Sequence, residues 1–108
     1  MSPGPYDKDS YHPLDTFAFE ALTVATTSVG FTAATFAPTT GTPAISAHLK
    51  VETAQVRYRT DGTAPTATVG TILDPGDTLT VWGTFDIASI RFIRTGGVSA
   101  TLSVEYAR

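Results

Sequence analysis

The chain reads as an all-β domain: an antiparallel β-sandwich of jelly-roll type, with seven or eight short strands behind an extended N-terminal arm. Three observations carry that reading. Apolar and polar residues alternate with period two through 44–60 and 98–106, the signature of strands with one buried face. Turn-forming Gly, Pro and Asp interrupt the chain at short intervals. Twenty of the 108 residues are threonine, a stiff β-branched residue that suits a pleated, half-exposed surface.

Residues 1–15 (MSPGPYDKDSYHPLD) hold three prolines, a glycine and four charges without periodicity, so they form an arm outside the sandwich domain of 16–108. Tyr6, Tyr11 and Leu14 give the arm apolar grip, and the alternatives are a frayed end or an arm that orders on a neighbouring subunit. Two strands are expected near 16–25 and 28–36, joined at Thr26 and Thr27. Thr density and Gly30 argue against a helix there. A loop at 38–43 follows.

Ile45, Ala47, Leu49 and Val51 then alternate with Ser46, His48, Lys50 and Glu52, and Ala54, Val56 and Tyr58 with Gln55, Arg57 and Arg59. Asp61-Gly62 ends that strand. A short strand at 69–73 runs into Asp74-Pro75-Gly76-Asp77, whose Pro and Gly positions specify a type II turn. Strand 78–82 follows, with Leu79 and Val81 inward. Strand 87–94 would place Ile90 and Phe92 opposite Arg91 and Ile93, Gly96-Gly97 is a hairpin signal, and strand 98–106 ends the domain. No segment is expected to be helical.

The chemistry needed for catalysis is sparse. With no cysteine there is no disulfide, thiol nucleophile or cysteine-held zinc. His12 and His48 have no carboxylate at ligand spacing, and Asp61, Asp74, Asp77 and Asp86 occupy turns or strand boundaries, where Asp caps the backbone. No phosphate loop, nucleophile elbow or dinucleotide fingerprint occurs. The expectation is a non-enzyme without metal or cofactor. A net charge of −3 with seven Lys and Arg argues against nucleic acid as partner. No run reaches the 18 apolar residues of a membrane span, and the N-terminus lacks signal-peptide character, so synthesis in the cytoplasm is expected.

Two features suit an interface. Arg57 and Arg59 project from one strand face and Arg91 joins them if its strand is adjacent; they form either a solvated face paired with Glu52 or Glu105, or a contact patch. Trp82 has the parity opposite to Leu79 and Val81. It either caps the core or presents an outward ring for a sugar or a protein.

The stretch RYRTDGTAPTATVGTILDPGDTLTVWG, continuing to IRFIRTGGVSATLSVEY, resembles small virion structural proteins of tailed bacteriophages, above all capsid decoration (cement) proteins. The similarity covers about residues 56–106 and rests on the RYR strand, the DGT-PT loop, the GD before a strand and the ATLSV-Y ending. It implies a homo-oligomer, often a trimer, on the outer capsid surface of the virion, with the major capsid protein lattice as partner. Other readings are a carbohydrate-binding module of a receptor-binding or fibre protein, with Trp82 as platform, and a head-completion or tail-assembly component.

Overall fold

The computed structural model describes residues 14–108. Tyr6, Tyr11 and His12 lie outside the described residues. Seven strands form two antiparallel sheets: β1 (Thr16–Val24), β2 (Ser46–Val51), β3 (Val56–Arg59), β4 (Thr71–Leu73), β5 (Thr78–Trp82), β6 (Arg91–Arg94) and β7 (Ala100–Ala107). One sheet has the order β1-β7-β2-β5, the other β4-β3-β6. The result is mostly β and sandwich-like.

The alternation of the sequence sets the inner faces. Leu22 and Val24 on β1, Ala47, Leu49 and Val51 on β2, Val81 on β5, and Ala100, Leu102, Val104 and Tyr106 on β7 are buried from the four-stranded sheet. Val56, Leu73 and Phe92 are buried from the other. A chain of rings ties the two together: Tyr58 to Phe92 (6.3 Å between centroids), Phe92 to Phe31 (5.4 Å), Phe31 to Tyr106 (5.5 Å, edge-on) and Tyr106 to Phe36 (6.1 Å). Each such pair adds about 0.5–1.5 kcal/mol beyond the area it buries.

Three expectations are corrected. Residues 28–36 are not a strand. Val29 makes a single bridge to Phe92, exchanging both backbone hydrogen bonds, and a one-turn helix α1 (Ala33–Phe36) follows. This segment closes the core with Phe31 and Phe36, and Thr32, at the cap position, is exposed and turns its hydroxyl to Glu20 instead of the helix. Residues 87–94 are only half strand. A short helix α2 (Thr84–Ser89) occupies the first part, and Ile87 and Ile90, three apart, both enter the core. Gly96-Gly97 is not a hairpin: β6 and β7 belong to different sheets, so this turn carries the chain across the sandwich.

The turn expected at 74–77 has the expected chemistry, whereas Gly70, expected inside a strand at 69–73, lies in the loop before β4. At Asp74-Pro75-Gly76-Asp77 the Asp77 amide donates to the Asp74 carbonyl (2.9 Å) and Gly76 takes φ 92°, the left-handed value that a type II turn needs. Gly70 has φ 135°, and a Cβ there would sit 3.1–3.2 Å from Pro65, Tyr58 and Arg57. Both the conformation and the close approach of the 63–70 loop to β3 require glycine.

Candidate interaction surfaces

Arg57, Arg59 and Arg91 do converge. On the three-stranded sheet Arg59 is the register partner of Arg91, and Arg57 that of Ile93 on one side and Ile72 on the other. All five residues share the outer face. Yet two of the arginines are engaged locally. Arg57 donates from Nε to the Ala67 carbonyl (3.1 Å) and from Nη1 to the Gly70 carbonyl (2.7 Å), pinning the 63–70 loop. Arg59 forms a two-pronged ion pair with Asp61, which also accepts the Thr63 amide. That hydrogen bond and charge hold the Asp61 carboxyl below its ordinary range and the Arg59 guanidinium above its own. The stem of Arg91 runs past Gly30.

The partners expected for these arginines are elsewhere. Glu52 accepts from Ser103 Oγ (2.7 Å) at the four-stranded sheet, and Glu105 lies on the outer face of β7, between Phe19 and His48. Arg94 has the inward parity of Phe92. Its Nη1 donates to Ser99 Oγ (3.3 Å), while its Nε is buried without a hydrogen-bond partner among the described residues.

Trp82 belongs to a different surface. It ends β5, the edge strand of the four-stranded sheet, and is 63% exposed. The core-capping alternative is therefore overturned: its parity takes it outward, away from Val81. Next to it, Phe85 is 77% exposed on α2, on the side of the helix away from the buried Ile87. The amide of Gly83, between them, donates to the carbonyl of Ile45 (2.7 Å), itself 43% exposed. Trp82 and Phe85 thus leave two large exposed side chains three residues apart at the end of β5, while Ile45, opposite Gly83, has the inward parity of Ala47. Gly83 takes the cap position of α2 and Asp86 lies in its first turn, where an acidic residue is favoured.

The outer face beside this end of β5 is low in charge. Trp82, Ser46, Ala107 and Thr16 form one row across all four strands, and Thr80, His48, Glu105 and Phe19 the next. His48 Nδ1 lies 2.9 Å from Thr80 Oγ1. Leu14, partly exposed, precedes β1 at the Trp82 end of the sheet, where Asp15 and Arg108 exchange backbone hydrogen bonds (3.2 and 3.0 Å). The guanidinium of Arg108 lies 4.0 Å above the ring of Phe17.

Glu20 marks the inner side of the same sheet. Its carboxylate accepts from the Tyr106 hydroxyl, the Thr32 amide (3.1 Å) and the Thr32 hydroxyl (2.7 Å). It thereby fastens the start of α1 to β7. Burial first, then the bond to and charge of Glu20, push the Tyr106 phenol far above its ordinary range. Among the described residues no three His, Asp or Glu side chains gather as metal ligands, and no helix is long and apolar enough to cross a membrane.

No protein-family model, curated protein or solved structure matches the chain.

Proposed function

We propose that this chain is a non-enzymatic virion structural protein that decorates and cements the assembled head of a tailed phage, acting as an oligomer, a trimer by the resemblance, on the outer capsid surface. The observation that carries this is the Trp82–Phe85 end of β5: large apolar side chains left in solvent beside a sheet face rich in Thr, on which His48, Lys50 and Glu105 are the titratable residues of the paired rows. Such a surface costs little to desolvate and gains on burial. Binding the mature shell but not its precursor would stabilise the shell by mass action.

The finer fold proposed is a jelly roll in which the Val29 segment is the remnant of an eighth strand beside β6. Its support is the nesting of the pairs: β1 with β7, Val29 with β6, β2 with β5, and β3 with β4. First pairs with last, second with seventh, third with sixth and fourth with fifth. Jelly rolls serve viral capsids and lectins alike.

The test is co-sedimentation with assembled heads of the phage encoding the chain. Binding to expanded heads in hundreds of copies is expected for a lattice site. About a dozen copies would mark a head-completion or tail role, and no association would sink the proposal. The carbohydrate-binding alternative is favoured by one feature, Trp82 standing outward beside the Thr80–His48 pair. A silent glycan array would remove it.

A further inference from the structure

We infer that the Trp82–Phe85 end of β5 is the docking site for residues 1–13 of a second copy of this chain. The inference rests on the self-association in the reading above and adds the surface and the segment that produce it. The size of the patch selects the kind of occupant. The exposed side-chain area of Trp82 and Phe85 is on the order of 300 Å², given the 150–250 Å² that a large aromatic residue can bury. A stable interface between folded faces needs about 800 Å² on each partner. The patch is too small for a globular face and fits a short extended segment.

The chain itself supplies such a segment. Residues 1–13 carry Tyr6, Tyr11 and three prolines, apolar groups of low conformational cost that suit an uncharged surface. Among the described residues β5 is an edge strand paired only with β2, so its outer edge can take an added strand. The run from Tyr6 to His12 contains no proline and exceeds the five residues of β5.

The direction of the chain selects a second copy over its own. Asp15 is locked to Arg108 by two backbone hydrogen bonds, one step beyond the row of Thr16, Ala107, Ser46 and Trp82. At Leu14 and Asp15 the chain thus lies beyond the last row of its own sheet. Its own Trp82 lies three strand spacings to the side, roughly 14 Å, and reaching it requires a reversal. Thirteen extended residues span at most ~45 Å, enough to reach a neighbour.

The absence of cysteine makes the test clean. A full-length Y11C/F85C variant is oxidised and run without reductant. Cross-linked dimers and higher species are expected, and a Y11C/V98C control should give none, since Val98 is exposed but lies at the far end of β7. In sedimentation, removal of residues 1–13 and the W82S/F85S pair should each weaken self-association by roughly tenfold or more, as loss of a hot spot does. Combining them should add little further. A disulfide confined within one chain, equal cross-linking in the control, a monomeric full-length protein, or an oligomer unmoved by the deletion would each overturn the inference. Cross-linking between copies that ignore phage heads would leave it standing and remove the decoration reading.

Discussion

The outer face of the three-stranded sheet carries Arg57, Arg59 and Arg91, and that of the four-stranded sheet ends in Trp82, followed at once by the exposed Phe85. By residue type either could bind a partner. The geometry separates them. Arg57 spends two donors on the carbonyls of its own loop and Arg59 is held by Asp61, so these cations organise the 63–70 region. Among the described residues, the side chains of Trp82 and Phe85 stand mostly in solvent. Exposure by itself does not mark an interface; what distinguishes the two faces is whether the exposed groups already have work inside the fold. Four tests can break or sharpen this contrast.

The largest effect belongs to the layer both faces share. Phe92 is fully buried, pairs with Tyr58 and Val29, and sits in the ring chain between Tyr58 and Phe31. Phe92→Ala should destabilise the fold by about 3–5 kcal/mol through lost burial and a cavity, read as a shift in the urea midpoint. A loss below ~1 kcal/mol would mean that the two sheets do not share one core.

Tyr106 comes next and reports on the four-stranded sheet from within. Tyr106→Phe removes a hydrogen bond to a carboxylate and should cost about 1.5–3 kcal/mol. It also has a pH signature. The folded phenol stays protonated well above the ordinary tyrosine range, whereas the unfolded one releases its proton near pH ~10. Stability from this group is complete below that pH and falls as pH rises above it, by up to about 1.4 kcal/mol per pH unit. Chemical denaturation between neutral and strongly alkaline pH should show that fall, and the Phe variant a shallower one. Parallel slopes would remove Tyr106 as its source.

Arg57 tests the contrast directly. Arg57→Ala cuts two bonds to the 63–70 loop and should cost about 1–2 kcal/mol, with earlier proteolytic cleavage in that loop than in the wild type. A variant that is fully stable but fails to self-associate would return the arginine face to the role of an interface.

How far these features were legible depends on whether their causes are local. The inner positions of β2, β5 and β7 follow from period-two alternation, and the type II turn at Gly76 from two residues. The Arg57–Arg59–Arg91 face needed only one correct guess of adjacency. By contrast, Ile87, Ile90 and Phe92 mix a helical step of three with a strand step of two, and the switch falls at Ile90, where only the three-dimensional core decides. Phe17 and Phe19 share parity, but a bulge between Thr16 and Ala18 separates their fates: Phe17 packs partly on the core and Phe19 stands in solvent. The engagement of Arg57 with Ala67 and Gly70, and the exposure of Trp82 at an edge, depend on which strands become neighbours. Nothing within a few residues encodes that.

The smallest effect on stability is expected at Trp82, and its smallness is what gives the test value. The side chain is mostly in solvent, so Trp82→Ser should change folding free energy by no more than about 0.5 kcal/mol, the usual range for a surface substitution. Its thermal midpoint should accordingly stay within a few degrees of wild type, about 2–4 °C for a domain of this size. The same variant should lose self-association. A residue that matters to the assembly and not to the monomer is the converse of Arg57, and the pair of measurements on each variant forms a two-by-two comparison. If Trp82→Ser instead unfolds the domain, its ring serves the core edge, and the difference between the two faces disappears.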